Sequence, residues 1–143
     1  MTMKSSDLML GDWVRAKTVD YVDGVIKYVE ENKRATTTMI DQLYNQEIGV
    51  LIDSLYLIQV EPISFDEIAE FWNKNGYILQ EDKSYTYFDD YFSINIKEIN
   101  DSIWQIVVEH CEIFNETEQC TVSYVHQLQH FYKLCGIEKE IIL

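Results

Sequence analysis

The sequence predicts an α+β fold: a small SH3-like β-barrel or bent sheet over residues 1–62, then a helix–antiparallel β-meander–helix unit over residues 63–143. Three observations carry that expectation. The first sixty residues are dense in short β-branched and aromatic runs. The single proline, Pro62, coincides with a jump in acidity: residues 1–60 hold 9 acids and 6 bases, residues 61–120 hold 14 and 3. Immediately after Pro62 stands a helix-start signature, followed by segments of alternating polarity.

In the first segment, Trp13–Val14 follows a Gly11–Asp12 turn and Gly24 to Val29 is β-branched and aromatic. Glu31–Asn32–Lys33 reads as a turn, Thr36 to Ile40 as a Thr-rich strand, and Ile48 to Ile52 and Leu55 to Val60 as two more, split by Asp53–Ser54. Five short strands without a strong helix signal suggest a sheet that closes on itself and hides its edges. In the second segment, Ser64-Phe65-Asp66-Glu67 has the form of a capping box, with Ile63 and Ile68 at the positions of a hydrophobic staple. Phe65, Ile68, Ala69 and Trp72 make one apolar stripe, and Gly76 is a left-handed stop, so a helix is expected over 64–75. Strands are expected over about 77–114: Tyr77 to Gln80, Ser84 to Phe88, Tyr91 to Ile96 and Ile103 to Val108, with Cys111 to Phe114 as an extension. Asn100–Asp101–Ser102 makes a hairpin turn. A last helix covers 124–135, starting after Ser123 and ending at Gly136, with Ile137 to Leu143 as a short edge strand.

Composition narrows the function classes. With 47% apolar residues and 19 aromatics among 143, the chain can bury a core and is not disordered. A net charge of -14 argues against direct nucleic-acid binding, which rests on Lys and Arg. Cys111, Cys120 and Cys135 are odd in number and lack C-x-x-C spacing, unlike a secreted disulfide framework. The apolar run Leu8 to Leu10 is too short for a signal peptide, and no run reaches membrane-spanning length. The expectation is a soluble cytoplasmic chain with no membrane partner.

Two constellations invite chemistry. His126 and His130 lie one turn apart, as two zinc ligands can, but Gln127 occupies the position where a zinc protease needs its glutamate base. On a helical projection His126, His130 and Lys133 point together, opposite Tyr124, Leu128, Phe131, Tyr132 and Cys135. The simpler reading is a solvated polar face, and no metal is expected. Tyr85 to Phe92 packs five aromatics around the pair Asp89–Asp90. Its bland reading is an amphipathic strand and turn feeding the core. Its functional reading is a protein-binding patch of Tyr85, Tyr87, Asp89, Asp90 and Tyr91, because exposed aromatics anchor interfaces. No phosphate-binding glycine loop, nucleophile elbow or dinucleotide fingerprint is present, so no cofactor and no catalytic residue are expected.

Tyr124-Val125-His126-Gln127-Leu128-Gln129, followed by Tyr132 and Gly136-Ile137-Glu138, resembles the ending of a group of small uncharacterised proteins of gut anaerobes and their phages and mobile elements. Leu10-Gly11-Asp12-Trp13-Val14 and Pro62-Ile63-Ser64-Phe65-Asp66-Glu67 are similar to that group's opening turn and mid-chain segment. His130 departs from the group's usual asparagine, and Tyr44 to Gln46 looks like an added loop. The resemblance implies a mobile-element setting and nothing catalytic. Three function classes stay open: a non-enzymatic accessory protein acting through protein contacts, an acidic decoy imitating nucleic-acid phosphates, and a small enzyme with an unrecognised site.

Overall fold

The computed structural model describes residues 2–50, 57–110 and 117–143. The chain is α+β and divides into two compact units, Met1–Ile63 and Ser64–Leu143. Each unit has its own antiparallel sheet.

In the first unit, β1 (Trp13–Val22) and β2 (Val25–Arg34) form a hairpin paired without a break from Trp13↔Arg34 to Val22↔Val25. The connecting residues Asp23 and Gly24 have φ of 52° and 77°. Two positive φ values make the type I′ turn whose twist matches the strands, and Asp-Gly is a favoured pair for it. The turn expected at Glu31–Lys33 instead lies inside β2, opposite Ala16, Arg15 and Val14. No glycine or proline interrupts the chain there, and the hairpin register carries it through. β3 (Leu57–Pro62) pairs with β1 from Val14↔Pro62 to Thr18↔Leu57, giving the order β2-β1-β3.

The strand-only expectation for residues 1–62 is corrected by an 11-residue helix, α1 (Thr37–Glu47). The Thr36 hydroxyl accepts from the Met39 N–H at 3.2 Å, so a threonine read for β propensity is in fact the N-cap. Met39 and Leu43 are buried at i, i+4 spacing with Ile40 half-buried beside them, and Gly49 follows the helix in the left-handed region. Tyr44 to Gln46, expected as an added loop, is part of this helix. Ile48 to Val50 forms its exit turn, while Leu51, Ile52, Leu55 and Tyr56 lie outside the described residues. Among the described residues the sheet has three strands and does not close into a barrel. Its core is Met3, Leu8, Val14, Ala16, Ala35, Met39, Leu43, Leu57 and Val60.

The second unit is a meander of five antiparallel strands in sequential order: β4 (Ile78–Leu79), β5 (Tyr85–Phe88), β6 (Phe92–Asn100), β7 (Ile103–His110) and β8 (Thr117–Val122). Side chains alternate between faces. One face carries Ile94, Ile96, Trp104, Ile106, Val108 and Val122, all buried. The other carries Ser93, Asn95, Lys97, Gln105, Glu109, Gln119 and Thr121. Cys111 to Phe114 lies outside the described residues.

The single helix expected over 64–75 is replaced by two short pieces: a 3-10 turn at Phe65–Glu67 and α2 (Phe71–Lys74), separated by Glu70 at φ 53°. The reason is Phe71. On a continuous helix Phe71 would lie about 120° around the axis from Phe65, off the apolar stripe. Breaking the helix buries Phe65, Phe71 and Trp72 together, with ring centroids 4.7 to 5.2 Å apart. A fully buried phenylalanine contributes about 1.5–3 kcal/mol, enough to offset the roughly 1–2 kcal/mol of a left-handed non-glycine residue. The Gly76 stop is present, with Tyr77 N–H donating to Trp72 C=O at 2.9 Å and Gly76 N–H to Asn73 C=O at 3.1 Å, a Schellman motif. A side chain at Gly76 would meet the Tyr87 ring at 3.3 Å besides requiring φ of +83°.

α3 (Val125–Leu134) closes the unit. Gln127 Oε1 accepts from the backbone N–H groups of Ser123 (2.7 Å) and Tyr124 (3.2 Å), and Gly136 completes a second Schellman motif through Ile137 N–H to Tyr132 C=O at 2.8 Å. Val125, Leu128, Phe131 and Tyr132 are buried. Residues 137–143 are not the edge strand expected of them. Ile137 and Ile141 are buried, and Asn75 holds the segment by accepting from Ile142 N–H at 2.7 Å while donating to Ile142 C=O at 2.8 Å. That side-chain amide satisfies the backbone groups a neighbouring strand otherwise would. Among the described residues no helix is long and apolar enough to cross a membrane.

Candidate functional site

The strand-to-turn patch Tyr85, Tyr87, Asp89, Asp90 and Tyr91 separates into two parts. Tyr85 and Tyr87 project to the core face of β5, directly opposite Ile96 and Ile94. Tyr85 packs on Trp72 and Trp104 at 6.2 and 6.3 Å, and Tyr87 on Tyr77 and Phe92 at 5.7 and 6.1 Å. Lys139 Nζ stands 4.1 Å over the Tyr87 ring, and burial lowers that ammonium's pKa. These two tyrosines therefore serve the core more than a partner. Asp89 accepts from Tyr91 N–H at 3.1 Å, a turn-forming contact, and Asp89, Asp90 and Tyr91 are exposed together with Phe88.

His126 does not lie on a solvated face. It is 7% exposed, stacked on Tyr124 at 6.0 Å, with the His130 ring edge-on at 5.6 Å. A helical projection does not show this contact, because Tyr124 stands at the N-cap, before the helix. Among the described residues no three His, Cys, Asp or Glu side chains converge as a metal site requires.

The described cysteines are poor nucleophiles. Burial raises the Cys120 thiol; burial together with the neighbouring Glu118 carboxylate pushes Cys135 up to about 12. The same contact lowers Glu118 below its ordinary value. In protein whose other two cysteines are serine, Cys135 at neutral pH should react with a disulfide reagent roughly one to two orders of magnitude slower than an ordinary thiol, because the loss of thiolate outweighs the greater nucleophilicity of a more basic thiolate. The rate should climb steadily above pH 8. A free-thiol rate at pH 7 would show that the Cys135 thiol is less buried in solution than the fold places it.

Two further features have the geometry of binding surfaces. The first is the outer half of the β1–β2 hairpin. Among the described residues β3 pairs with β1 only as far as Thr18, so the ribbon beyond has two strands. Tyr21 faces Ile26 and, two residues back, Val19 faces Tyr28, so these four share one face. Tyr21 is 70%, Ile26 51% and Tyr28 65% exposed, with Val22 and Val25 exposed on the opposite face. Scattered exposed apolar residues are ordinary on protein surfaces, but Tyr21, Ile26 and Tyr28 together on one face of one ribbon are a patch. The readable signal was Asp23-Gly24 between two runs of β-branched and aromatic residues.

The second is a cavity of about 350 Å³ in the second unit, between residues 65–73 and the sheet. Phe65, Phe71, Trp72, Tyr85 and Trp104 line it, with Asp66, Glu70 and Glu98. β6–β7 register places Glu98 opposite Trp104. No lysine, arginine or histidine is among the lining residues. No protein-family model matches the chain, and neither a curated protein nor a solved structure was found to be similar to it.

Proposed function

We propose that the protein is a non-enzymatic accessory protein of a phage or mobile genetic element, acting in the cytoplasm through protein–protein contacts. The observation that carries the reading is the apolar hairpin tip. A ribbon that exposes Tyr21, Ile26 and Tyr28 to water gains about 1.5–3 kcal/mol for each of these side chains that a partner fully covers. Aromatic residues on a rigid strand are also typical anchors of interfaces. The mobile-element setting rests on the resemblance of the termini and the Pro62 segment.

The distribution of acids speaks against the decoy. On the sheet face opposite the core, Glu109 stands among Ser93, Asn95, Lys97, Gln105, Gln119 and Thr121, not in a row of carboxylates. Glu81, Asp82, Asp89 and Asp90 sit instead in and beside turns, where Asp82 and Asp89 accept backbone hydrogen bonds.

The test is a paired substitution. Tyr21→Thr with Ile26→Thr keeps β propensity and removes the apolar surface. Stability should change by no more than about 0.5 kcal/mol per site, because both side chains are exposed. Affinity for a partner captured from the native host should fall by more than about 100-fold, two anchors at about 2 kcal/mol each. Equal affinity of the double variant would remove the hairpin from the contact surface.

A further inference from the structure

We infer that two copies of this chain pair edge to edge through β2, antiparallel about a two-fold axis at Val29, so that their first sheets join into one continuous sheet. The contact uses the edge of the hairpin and not its apolar face, so it does not rest on the protein-partner reading above.

Among the described residues β2 is an edge strand: the order is β2-β1-β3, and β2 pairs with β1 alone. It runs for 10 residues without a proline, a glycine or a break in register. Its side chains are exposed except for Val29 and Arg34, which are half-buried. Edges protected against pairing are short, bulged, interrupted by proline or charged, and β2 has only charge, of both signs. The opposite edge of the sheet is engaged at Val60, whose C=O accepts from Met3 N–H at 2.9 Å.

The ladder decides which backbone groups are free. The two-residue turn makes Val22 and Val25 a hydrogen-bonded pair, and at the far end Ala35 N–H donates to Asp12 C=O at 2.7 Å. Odd-numbered residues of β2 therefore turn their N–H and C=O toward β1. Ile26, Tyr28, Glu30, Asn32 and Arg34 turn theirs outward.

A two-fold pairing must set these outward residues opposite one another, which leaves few registers, and charge chooses among them. Centred on Val29, Lys27 of each copy faces Glu31 of the other, while Tyr28 faces Glu30 and Ile26 faces Asn32 in hydrogen-bonded pairs. No like charges are opposed, and the pairing makes about eight backbone bonds. Centred on Glu30, that carboxylate would oppose itself and Lys27 would oppose Lys33; centred on Glu31, two carboxylates would again meet. Centred on Tyr28, no charges pair. Centred on Asn32, Glu30 would meet Arg34 and Glu31 would meet Lys33, but Ile26 and Tyr28 would face α1 instead of a strand. β2 carries Lys27, Lys33 and Arg34 against Glu30 and Glu31 in a chain of net charge -14, so the copies meet where neither is acidic.

The experiment is sedimentation equilibrium of the full chain from about 1 μM to about 1 mM, the range in which a modest dimer forms. The mass should rise from 16.9 kDa toward twice that value. Lys27→Glu and Glu31→Lys, each alone, oppose like charges on both sides of the axis. Each should weaken the dimer by at least about tenfold with the folded spectrum retained. An equimolar mixture of the two variants should associate within about threefold of the natural chain, because every opposed pair is again of opposite sign.

A chain that stays monomeric at about 1 mM, or a dimer indifferent to both single variants, would overturn the inference. Weakening in each variant without rescue in the mixture would overturn the Val29 register. A dimer lost in Tyr21→Thr with Ile26→Thr but unmoved by Lys27→Glu would place the contact on the apolar face instead of the edge. A monomer leaves that face free for another protein, so the two proposals fail separately.

Discussion

Replacing Trp72 with alanine is expected to destabilise the second unit by about 3–5 kcal/mol, a large share of a small domain's total stability. Trp72 is buried and touches five aromatic rings: Phe65, Phe71, Tyr77, Tyr85 and Trp104. Truncation removes its transfer energy and leaves a void beside an existing cavity, where the neighbours can collapse only in part. Because the chain has two units, amide exchange at Ile94 and Ile106 in the middle of the second sheet gives a cleaner readout than a global melt. Protection at those amides should fall by the full amount, while Val14 and Ala16 in the first sheet keep theirs. A Trp72→Phe variant, which retains a ring, should lose markedly less.

The second large effect is expected at Asn75. Its buried amide donates to Phe71 C=O at 2.9 Å and to Ile142 C=O at 2.8 Å, and accepts from Ile142 N–H at 2.7 Å. Asn75→Ala should cost about 2–3 kcal/mol, since it deletes three bonds and strands the Ile142 backbone groups. Asn75→Asp should fare no better, because a carboxylate cannot donate to either carbonyl. The diagnostic readout is the Ile142 amide, whose protection should vanish in Asn75→Ala before the sheet amides respond, whereas the carboxylate of Asn75→Asp can still accept from it.

What the sequence makes legible here is what short-range chemistry decides. The meander from Tyr85 to His110 follows the alternation of Tyr85, Tyr87, Ile94, Ile96, Trp104, Ile106 and Val108, and the helix ending at Gly136 follows its stop signal and stripe. Where two local rules compete, short-range chemistry does not decide between them. Thr36 to Thr38 are both β-formers and helix-cappers, and only burial of Met39 and Leu43 selects the cap. Ser64 to Gly76 satisfies the rules for one helix, yet the helix breaks because Phe71 must reach the same core as Phe65 and Trp72. His126 is buried and stacks on Tyr124, a ring outside its own helix that a helical projection cannot place. The cavity was invisible in principle: Glu98 and Trp104 reach residues 65–73 only through the register of a sheet. The patch at Tyr85 to Tyr91 was half legible, because alternation shows that Tyr85 and Tyr87 share a face but not that the core claims it.

The salt dependence of partner affinity separates contact through the apolar hairpin from phosphate mimicry. Apolar contact survives screening, whereas many simultaneous charge pairs do not. With the partner in hand, affinity is measured from about 0.05 to about 0.5 M salt, where the Debye length shrinks from about 14 to about 4 Å. The same series is run on a variant with Glu81, Asp82, Asp89, Asp90 and Glu109 changed to amides. Contact through Tyr21, Ile26 and Tyr28 predicts a change of no more than about threefold across the range, and none on amidation beyond that. A fall of more than about 100-fold with salt, matched by loss of the partner on amidation, would contradict it and make the acidic surface the binding site.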